Sequence, residues 1–200
     1  MRNMISSTLG ALVLAVAWPA LAQEPRDGDL AALDANAGND ALQLRYLTSA
    51  PVLAEIKSDL DYGLLLSDER DLVGSAAWLF DTHLNLVPGL RLNIGPEAYL
   101  AKLANQNTGA FAVAVAGEAR YELIRRLGIS AFGSAAYAPH VLMFGTPTNV
   151  SDFTAGAQVR FAPRLYAQAG YRWFTFKFPG APDDRIQNGV FVGLRWDVNH

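Results

Sequence analysis

Strict alternation over residues 188–198, NGVFVGLRWDV, limits the folds open to this chain more than any other feature. Val190, Val192, Leu194, Trp196 and Val198 share one parity, and Phe191, Gly193, Arg195 and Asp197 share the other. Successive side chains of a strand point to opposite faces, so one face here is continuously apolar and the other small or charged. The sequence stops at His200, with no later segment to cover the apolar face. The expectation is that lipid covers it.

The same pattern recurs along the chain. Leu60, Tyr62, Leu64 and Leu66 alternate with Asp61 and Gly63. Residues 72–86 keep one parity from Leu72 through Trp78 and Phe80 to Leu86, and the tight turn Val87-Pro88-Gly89 follows. Leu90, Leu92 and Ile94 then alternate with Arg91 and Asn93. Pro96 cannot donate to a strand ladder, so a bulge is expected at Gly95-Pro96, which leaves the facing of Glu97 and Tyr99 open. Residues 101–109 read as a polar loop. Phe111 to Tyr121 and Ile129 to Tyr137 each read as a strand, joined by a turn at 122–128. Residues 139–152 read as a long loop, 153–161 as a strand, Ala162-Pro163 as a tight turn and 165–172 as a strand. Past Trp173 the aromatics fall on both parities, and 178–188 reads as another loop.

The N-terminus says how such strands reach a membrane. Arg2, a short apolar run over residues 9–18 and Ala20-Leu21-Ala22 make a secretory signal peptide over residues 1–22. The run is too short for a membrane helix, which needs about 20 apolar residues. Without this leader the chain has 15 basic and 19 acidic residues, which argues against a nucleic-acid partner. There is no Cys, hence no disulfide, thiolate metal site or lipidated Cys anchor. Residues 23–40 are acidic and rich in Ala, Gly and Asn. They form either a flexible start or a first strand and turn leading into Leu42, Leu44, Tyr46 and Thr48. The barrel proper is assigned to residues 41–200.

A secreted chain without membrane helices can span a membrane as a closed barrel, because closure satisfies every backbone group. The expected fold is all-β: a closed antiparallel up-and-down transmembrane β-barrel of 8–10 strands. The count is eight without the N-terminal hairpin and ten with it, and ten is preferred. Short turns at 87–89, 122–128 and 162–163 are assigned to the periplasm, and the loops at 101–109, 139–152 and 178–188 to the outside.

A soluble lipocalin-like barrel would also alternate. Two features favour the membrane. Charged residues make up only 18% of the chain, whereas a solvated exterior carries about 25–35%. The outward aromatics also fall into two groups. Tyr46, Tyr121, Phe161 and Trp196 lie near the bottoms of descending strands. Phe111, Phe153, Tyr137 and Tyr171, with Trp173, lie near the tops of strands. Two such girdles mark the two membrane interfaces. Trp78 and Phe80 do not fit this layering. The expected location is the bacterial outer membrane. The expected partners are its lipid and, during biogenesis, the barrel-insertion machinery.

The segments ALQLRYLTSAP, VPGLRLNIG and AYAP, and above all the closing GYRWF and NGVFVGLRWDV, resemble the YfaZ-like outer-membrane proteins. The resemblance covers most of the mature chain. It implies an outer-membrane barrel and no established activity, so it carries over no catalytic residue. Barrels of this type usually end on Phe or Trp, whereas this chain ends on His200, read either as a substitute for the terminal aromatic or as a frayed end.

No catalytic, cofactor or metal constellation is expected. His83, His140 and His200 have no partners at metal-ligand spacing, and phosphate-binding glycine motifs are absent. His140, Ser151 and Asp152 share one expected loop and form the only candidate for a lipid hydrolase. Asp61, Arg91, Glu118, Arg120, Arg160, Arg172, Arg195 and Asp197 share the inward parity, which points to an ion network in the lumen. A filled barrel would have a structural or surface-interaction role. A wider one would be a narrow transporter or channel with an Arg-rich lumen.

Overall fold

The computed structural model describes residues 31–49, 57–82, 87–180 and 182–198. The signal peptide, the turn at Pro51, His83 and the terminal His200 lie outside the described residues.

The described chain is almost entirely strand: β1 (Ala31–Gly38), β2 (Ala41–Ser49), β3 (Ser58–Ser67), β4 (Leu72–Asp81), β5 (Leu90–Leu103), β6 (Thr108–Ile124), β7 (Ile129–Ala138), β8 (Met143–Gly145), β9 (Asn149–Ala162), β10 (Leu165–Lys177) and β11 (Asp184–Asp197). All but β8 form the wall. Each of these ten strands pairs antiparallel with its neighbours, and β1 closes on β11 through Ala32↔Asp197 to Gly38↔Phe191. The result is a ten-stranded up-and-down barrel. The three-residue β8 pairs with β6 at Ala110–Ala112, beyond the point where β7 leaves it. No helix among the described residues is long and apolar enough to cross a membrane.

The first hairpin is therefore part of the wall. β1 carries Asp34 and Asn36 inward and Leu33 outward, so the acidic N-terminal segment obeys the same alternation as the rest. Strands of about 9–11 residues suffice to cross a bilayer. β5, β6, β9, β10 and β11 run to 13–17 residues and stand beyond that span.

The bulge expected at Gly95-Pro96 is absent. β5 keeps one register with β6 from Leu90↔Tyr121 to Leu103↔Thr108, and one register with β4 on both sides of the proline. β4 and β5 simply leave Trp78 and Leu79 unpaired opposite Gly95 and Pro96, so the missing N–H costs a local gap in the ladder and not an extra residue. Gly95 allows this close approach, since a Cβ there would collide with the Trp78 carbonyl. Because the register holds, Glu97 and Tyr99 face inward. Register shifts sit beside the turns at Glu122/Ile124 and Leu165/Tyr166, and a further one lies between β10 and β11 at Phe174/Thr175, where Ile186 is the extra residue. It turns both Ile186 and Gln187 inward, and it lies in the stretch where parity fails in the sequence.

Three loops are shorter than their composition suggests. β5 continues to Leu103, so the 101–109 loop shrinks to residues 104–107. The 139–152 segment holds a short 3-10 turn, His140–Leu142, then β8, and yields to β9 at Asn149. β11 begins at Asp184 and takes over half of the 178–188 loop. In these extensions residues such as Leu103, Val150 and Ile186 are buried inside, and polar residues such as Lys102, Arg185 and Asn188 are exposed.

The outer wall is apolar. Val115, Leu100, Ile94, Val190 and Leu194 are exposed, and Val192 is 65% exposed. Side chains of this kind on every part of a closed wall are covered by lipid. β4 ends at Asp81, which puts Trp78 and Phe80 in its last four residues, with ring centroids 4.8 Å apart. They thus join the turn-side aromatics, from which the longer strand read in the sequence had separated them. On that side Trp196, Leu33, Tyr46 and Tyr62 follow one another across four strands. On the loop side Phe153 pairs with Trp173 at 6.0 Å and Phe111 with Phe144 at 5.6 Å. Tyr121, Phe161, Tyr137 and Tyr171 are exposed on the same outer surface.

Candidate functional site

The lumen is divided into three levels by the residues that alternate inward. The loop-side level is apolar. Leu65 and Val73 from β3 and β4, Tyr99 and Leu103 from β5, Val150 from β9, Phe174 and Phe176 from β10 and Ile186 from β11 meet there, joined by Phe178. Phe174 and Phe176 are 0% exposed, and their rings lie 5.4 Å apart. Tyr99 packs on Phe174 at 5.5 Å. Alanines of β6 and β7 (Ala110, Ala112, Ala114, Ala136 and Ala138) leave the room into which these rings project. This is a plug of contiguous buried side chains, like the core of a soluble protein.

Beneath the plug lies a polar level. Arg172 donates from Nε and Nη2 to the two oxygens of Asp152 at 2.9 and 2.6 Å, and its guanidinium lies 4.8 Å from the Phe174 ring centre. The Tyr99 hydroxyl, itself within the plug, donates to Asp152 at 3.3 Å. Arg45 donates to Asp61 through Nε at 3.1 Å and also through Nη2. Gln168 donates to Asn36 at 2.6 Å, and Asn36 to Gln43 at 3.3 Å. Phe132 and Phe191 cross this level with ring centroids 6.4 Å apart. They lie over Gly156 and Gly170, where a Cβ would strike each ring. The free space left is about 50 Å³. Buried ions of this kind hold only when paired, and here each pair joins neighbouring strands, β9 with β10 and β2 with β3.

The turn-side level is open. A cavity of about 470 Å³ is lined by Arg91, Arg120, Arg125, Arg160 and Arg195, together with Asp59, Glu118, Glu122 and Asp197. Arg120 pairs with Glu118 at 3.4 Å, Arg125 with Glu122 at 3.2 Å, and Arg195 with Asp197 at 3.0 Å and with Asp34 at 3.7 Å. Arg91 and Arg160 have no carboxylate partner among the described residues, and both are exposed to the cavity.

The eight ionic residues singled out in the sequence all line the lumen, but they do not form a single network. Asp61 and Arg172 lie at the closed middle level; Arg91, Arg160, Arg195 and Asp197 line the open vestibule; Glu118 and Arg120 border both. The ionic set read from the sequence leaves out Arg45, Asp34 and Asp152, which complete the pairs. Arg45 shares the inward parity of Gln43 and is legible there. Asp152 is hidden in the sequence because its surroundings look like loop. It is instead a β9 strand residue held by Arg172, and Ser151 beside it has the opposite parity. His140 is exposed in the 139–148 segment, so the three residues do not converge.

A second cluster lies at the loop-side mouth. Glu69 and Asp71, from the turn between β3 and β4, and Asp184, at the start of β11, place carboxylate oxygens within 4.8 Å of one another.

Among solved structures, a bacterial polysaccharide outer-membrane secretin is similar at 13% identity and a TM-score of 0.46, with 80% of this chain and 57% of that one aligned. The outer-membrane channel DcaP of Acinetobacter baumannii gives 8% identity and a TM-score of 0.43, with 81% and 53% aligned. The chain thus spans just over half the length of each. No curated protein matches it. A sequence model of the YfaZ precursor family matches residues 78–198, from the end of β4 through the last strand. That match takes in well over half of the chain, and the protein belongs to the YfaZ family.

Proposed function

We propose that this protein is a closed, non-conducting barrel of the outer membrane, with a structural or surface-interaction role carried at its loop-side mouth. The observation that carries this reading is the plug. Tyr99, Leu103, Val150, Phe174, Phe176 and Ile186, each almost wholly buried, fill the loop-side lumen from wall to wall. A dry, close-packed layer offers ions no path. The short turns at 125–127 and 163–164 belong to the periplasmic side and the longer segments at 139–148 and 178–183 to the exterior, as in other bacterial outer-membrane barrels. Loops held by a rigid scaffold are where binding residues concentrate. Lipid contacts the wall, and the insertion machinery handles the chain during biogenesis. No catalytic step belongs to this reading, because Asp152 is engaged by Arg172 and lies apart from His140.

The vestibule favours a second reading, a narrow transporter of anions. Arg91 and Arg160 present guanidinium groups to open space with no carboxylate partner among the described residues. Conductance of the refolded protein in planar bilayers separates the two. The plugged barrel gives no steps above the lipid baseline. Steady anion-selective steps from the wild-type chain would establish the transporter and overturn the first reading.

A further inference from the structure

The three carboxylates at the mouth come from two parts of the fold, the β3–β4 turn and the start of β11, and no Lys, Arg or His among the described residues pairs with any of them. Asp71 is 0% exposed and is fixed in place. The Ser67 hydroxyl donates to its Oδ2 at 2.7 Å, and the Ala104 N–H, from the β5–β6 loop, donates to its Oδ1 at 2.8 Å. Glu69 is exposed and accepts from Asn105 Nδ2. Asp184 reaches the same point from β11, which is separated from β3 by β1 and β2 in the wall.

Asp184 provides a second, independent observation. It is 5% exposed, and its Oδ2 is buried with no hydrogen-bond partner among the described residues. It pairs across the sheet with Phe176, three residues beyond Trp173 of the outer girdle, so it stands above the lipid-facing wall. A buried carboxylate aimed at two others is unfavourable unless something positive or a proton joins it.

We infer that Glu69, Asp71 and Asp184 form a calcium site that clasps the start of β11 to the β3–β4 turn across the mouth of the barrel. The donors are all hard oxygens, which suit Ca²⁺, Mg²⁺ and Mn²⁺ and not the softer metals. Ca²⁺ takes about 6–8 oxygens at about 2.3–2.6 Å, so oxygens on opposite sides of the ion lie about 5 Å apart. The three oxygens of the cluster all lie within 4.8 Å of one another, close enough to share one such ion. Mg²⁺ keeps most of its water and usually takes one or two carboxylates, which fits three converging acids less well. The bound ion neutralises Asp184 and ties the segment that ends the plug, Phe178 and Ile186, to the β3–β4 turn beyond the β1–β2 hairpin.

The test uses the full mature chain refolded in detergent and then in vesicles. Calorimetric titration with CaCl₂ at pH 7.5 is expected to show one site with Kd of about 10⁻⁴–10⁻³ M, the range of extracellular calcium modules. Asp184→Asn should weaken binding at least tenfold while keeping the shape of the side chain. Glu69→Gln, at an exposed position where folding is not at stake, should weaken it by a smaller factor. Protease cleavage within 178–183 should slow on adding Ca²⁺ in the wild type and not in Asp184→Asn. Wild-type protein that binds no Ca²⁺ at several millimolar overturns the inference. So does Asp184→Asn binding as tightly as wild type. If Asp184→Asn is more stable than wild type and the wild type binds no Ca²⁺, the cluster shares a proton and is not a metal site.

Discussion

The two ends of the lumen are built on the same strands and are chemically opposite. On the loop side the inward positions of β5, β9, β10 and β11 are mainly apolar, Tyr99, Leu103, Val150, Phe174, Phe176 and Ile186, with Gln187 buried beside them. On the turn side the inward positions of the same strands are Arg91, Asn93, Gln158, Arg160, Tyr166, Arg195 and Asp197. The alternation is unbroken from one end of β5 to the other, so nothing in the wall accounts for the change. What differs is access to water. The dry end is held together by buried apolar area and packing. The wet end keeps its charges hydrated, and its Arg residues need not be compensated one by one. The ionic middle level marks the boundary, and its pairs are there because water is leaving.

The sharpest way to break this comparison is to open the dry end. Phe174→Ala removes a fully buried ring that touches both Tyr99 and Phe176. It should destabilise the barrel by about 3–5 kcal/mol, the usual cost of a buried Phe truncation. Reversible unfolding from vesicles in urea measures this. The same variant should begin to show conductance where the plugged wild-type barrel is expected to show none. A silent, fully stable Phe174→Ala barrel would mean that the plug is neither a seal nor a core.

The boundary should be almost as sensitive. Asp152→Ala strands Arg172 in the middle level with its carboxylate gone. Breaking a buried pair this way should cost about 3 kcal/mol, the low end of the range for such pairs, because the small central cavity can admit water. The double change Asp152→Leu with Arg172→Leu should recover most of the loss, as apolar replacements of buried pairs often do. A double variant no better than Asp152→Ala would show that the pair sets the fold of β9 on β10 and does not merely satisfy itself.

Much of this is legible in the sequence, and the misses have a common cause. Period-two alternation assigns faces, so the barrel, its lumen-facing ions and the lipid-facing set Val190, Val192, Leu194 and Trp196 follow directly. Alternation carries no information about height along the barrel, so the split of the ions into closed and open levels is not visible in it. Element ends are hard to place where polar inward residues resemble loop residues. Asp152 and Asp184 both look like loop for that reason, and both lie in the opening turns of the ladder, Asp152 within the first four residues of β9 and Asp184 as the first of β11. Pro96 suggests a bulge because its missing N–H breaks a ladder bond, whereas a short gap in the β4–β5 ladder accommodates it without an extra residue. The true bulge at Phe174/Thr175 leaves a trace in the run of aromatics on both parities, but not its cause.

The outer wall should ignore the division inside. Leu194 is exposed to lipid, and Arg195 next to it pairs with Asp34 and Asp197 in the lumen. Leu194→Arg should cost about 2–4 kcal/mol if it lies near the bilayer midplane, measured by refolding into vesicles. An arginine is thus stabilised at one position and penalised at the next, because the two face different solvents. Unchanged stability would reverse the assignment of faces along β11.

The smallest effect is expected at the wet end, and it bears most directly on the comparison. Arg91 and Arg160 line the vestibule without carboxylate partners among the described residues. Arg160 folds back over Gly128, whose carbonyl accepts the Arg160 backbone N–H at 3.1 Å, and that bond survives any change of side chain. A guanidinium in open water loses little solvation and gains little from the fold. Arg91→Gln and Arg160→Gln should each therefore change unfolding free energy by no more than about 0.5 kcal/mol, as surface substitutions do. The same removal of a positive charge at Arg172 leaves Asp152 buried without its partner and belongs with the large effects. The contrast requires all three variants under one set of refolding conditions. If Arg160→Gln costs as much as a change at Arg172, the vestibule is drier than its volume implies and the two ends of the lumen differ less than their side chains suggest. If it costs nothing, burial and not charge decides which of the lumen's arginines hold the barrel together.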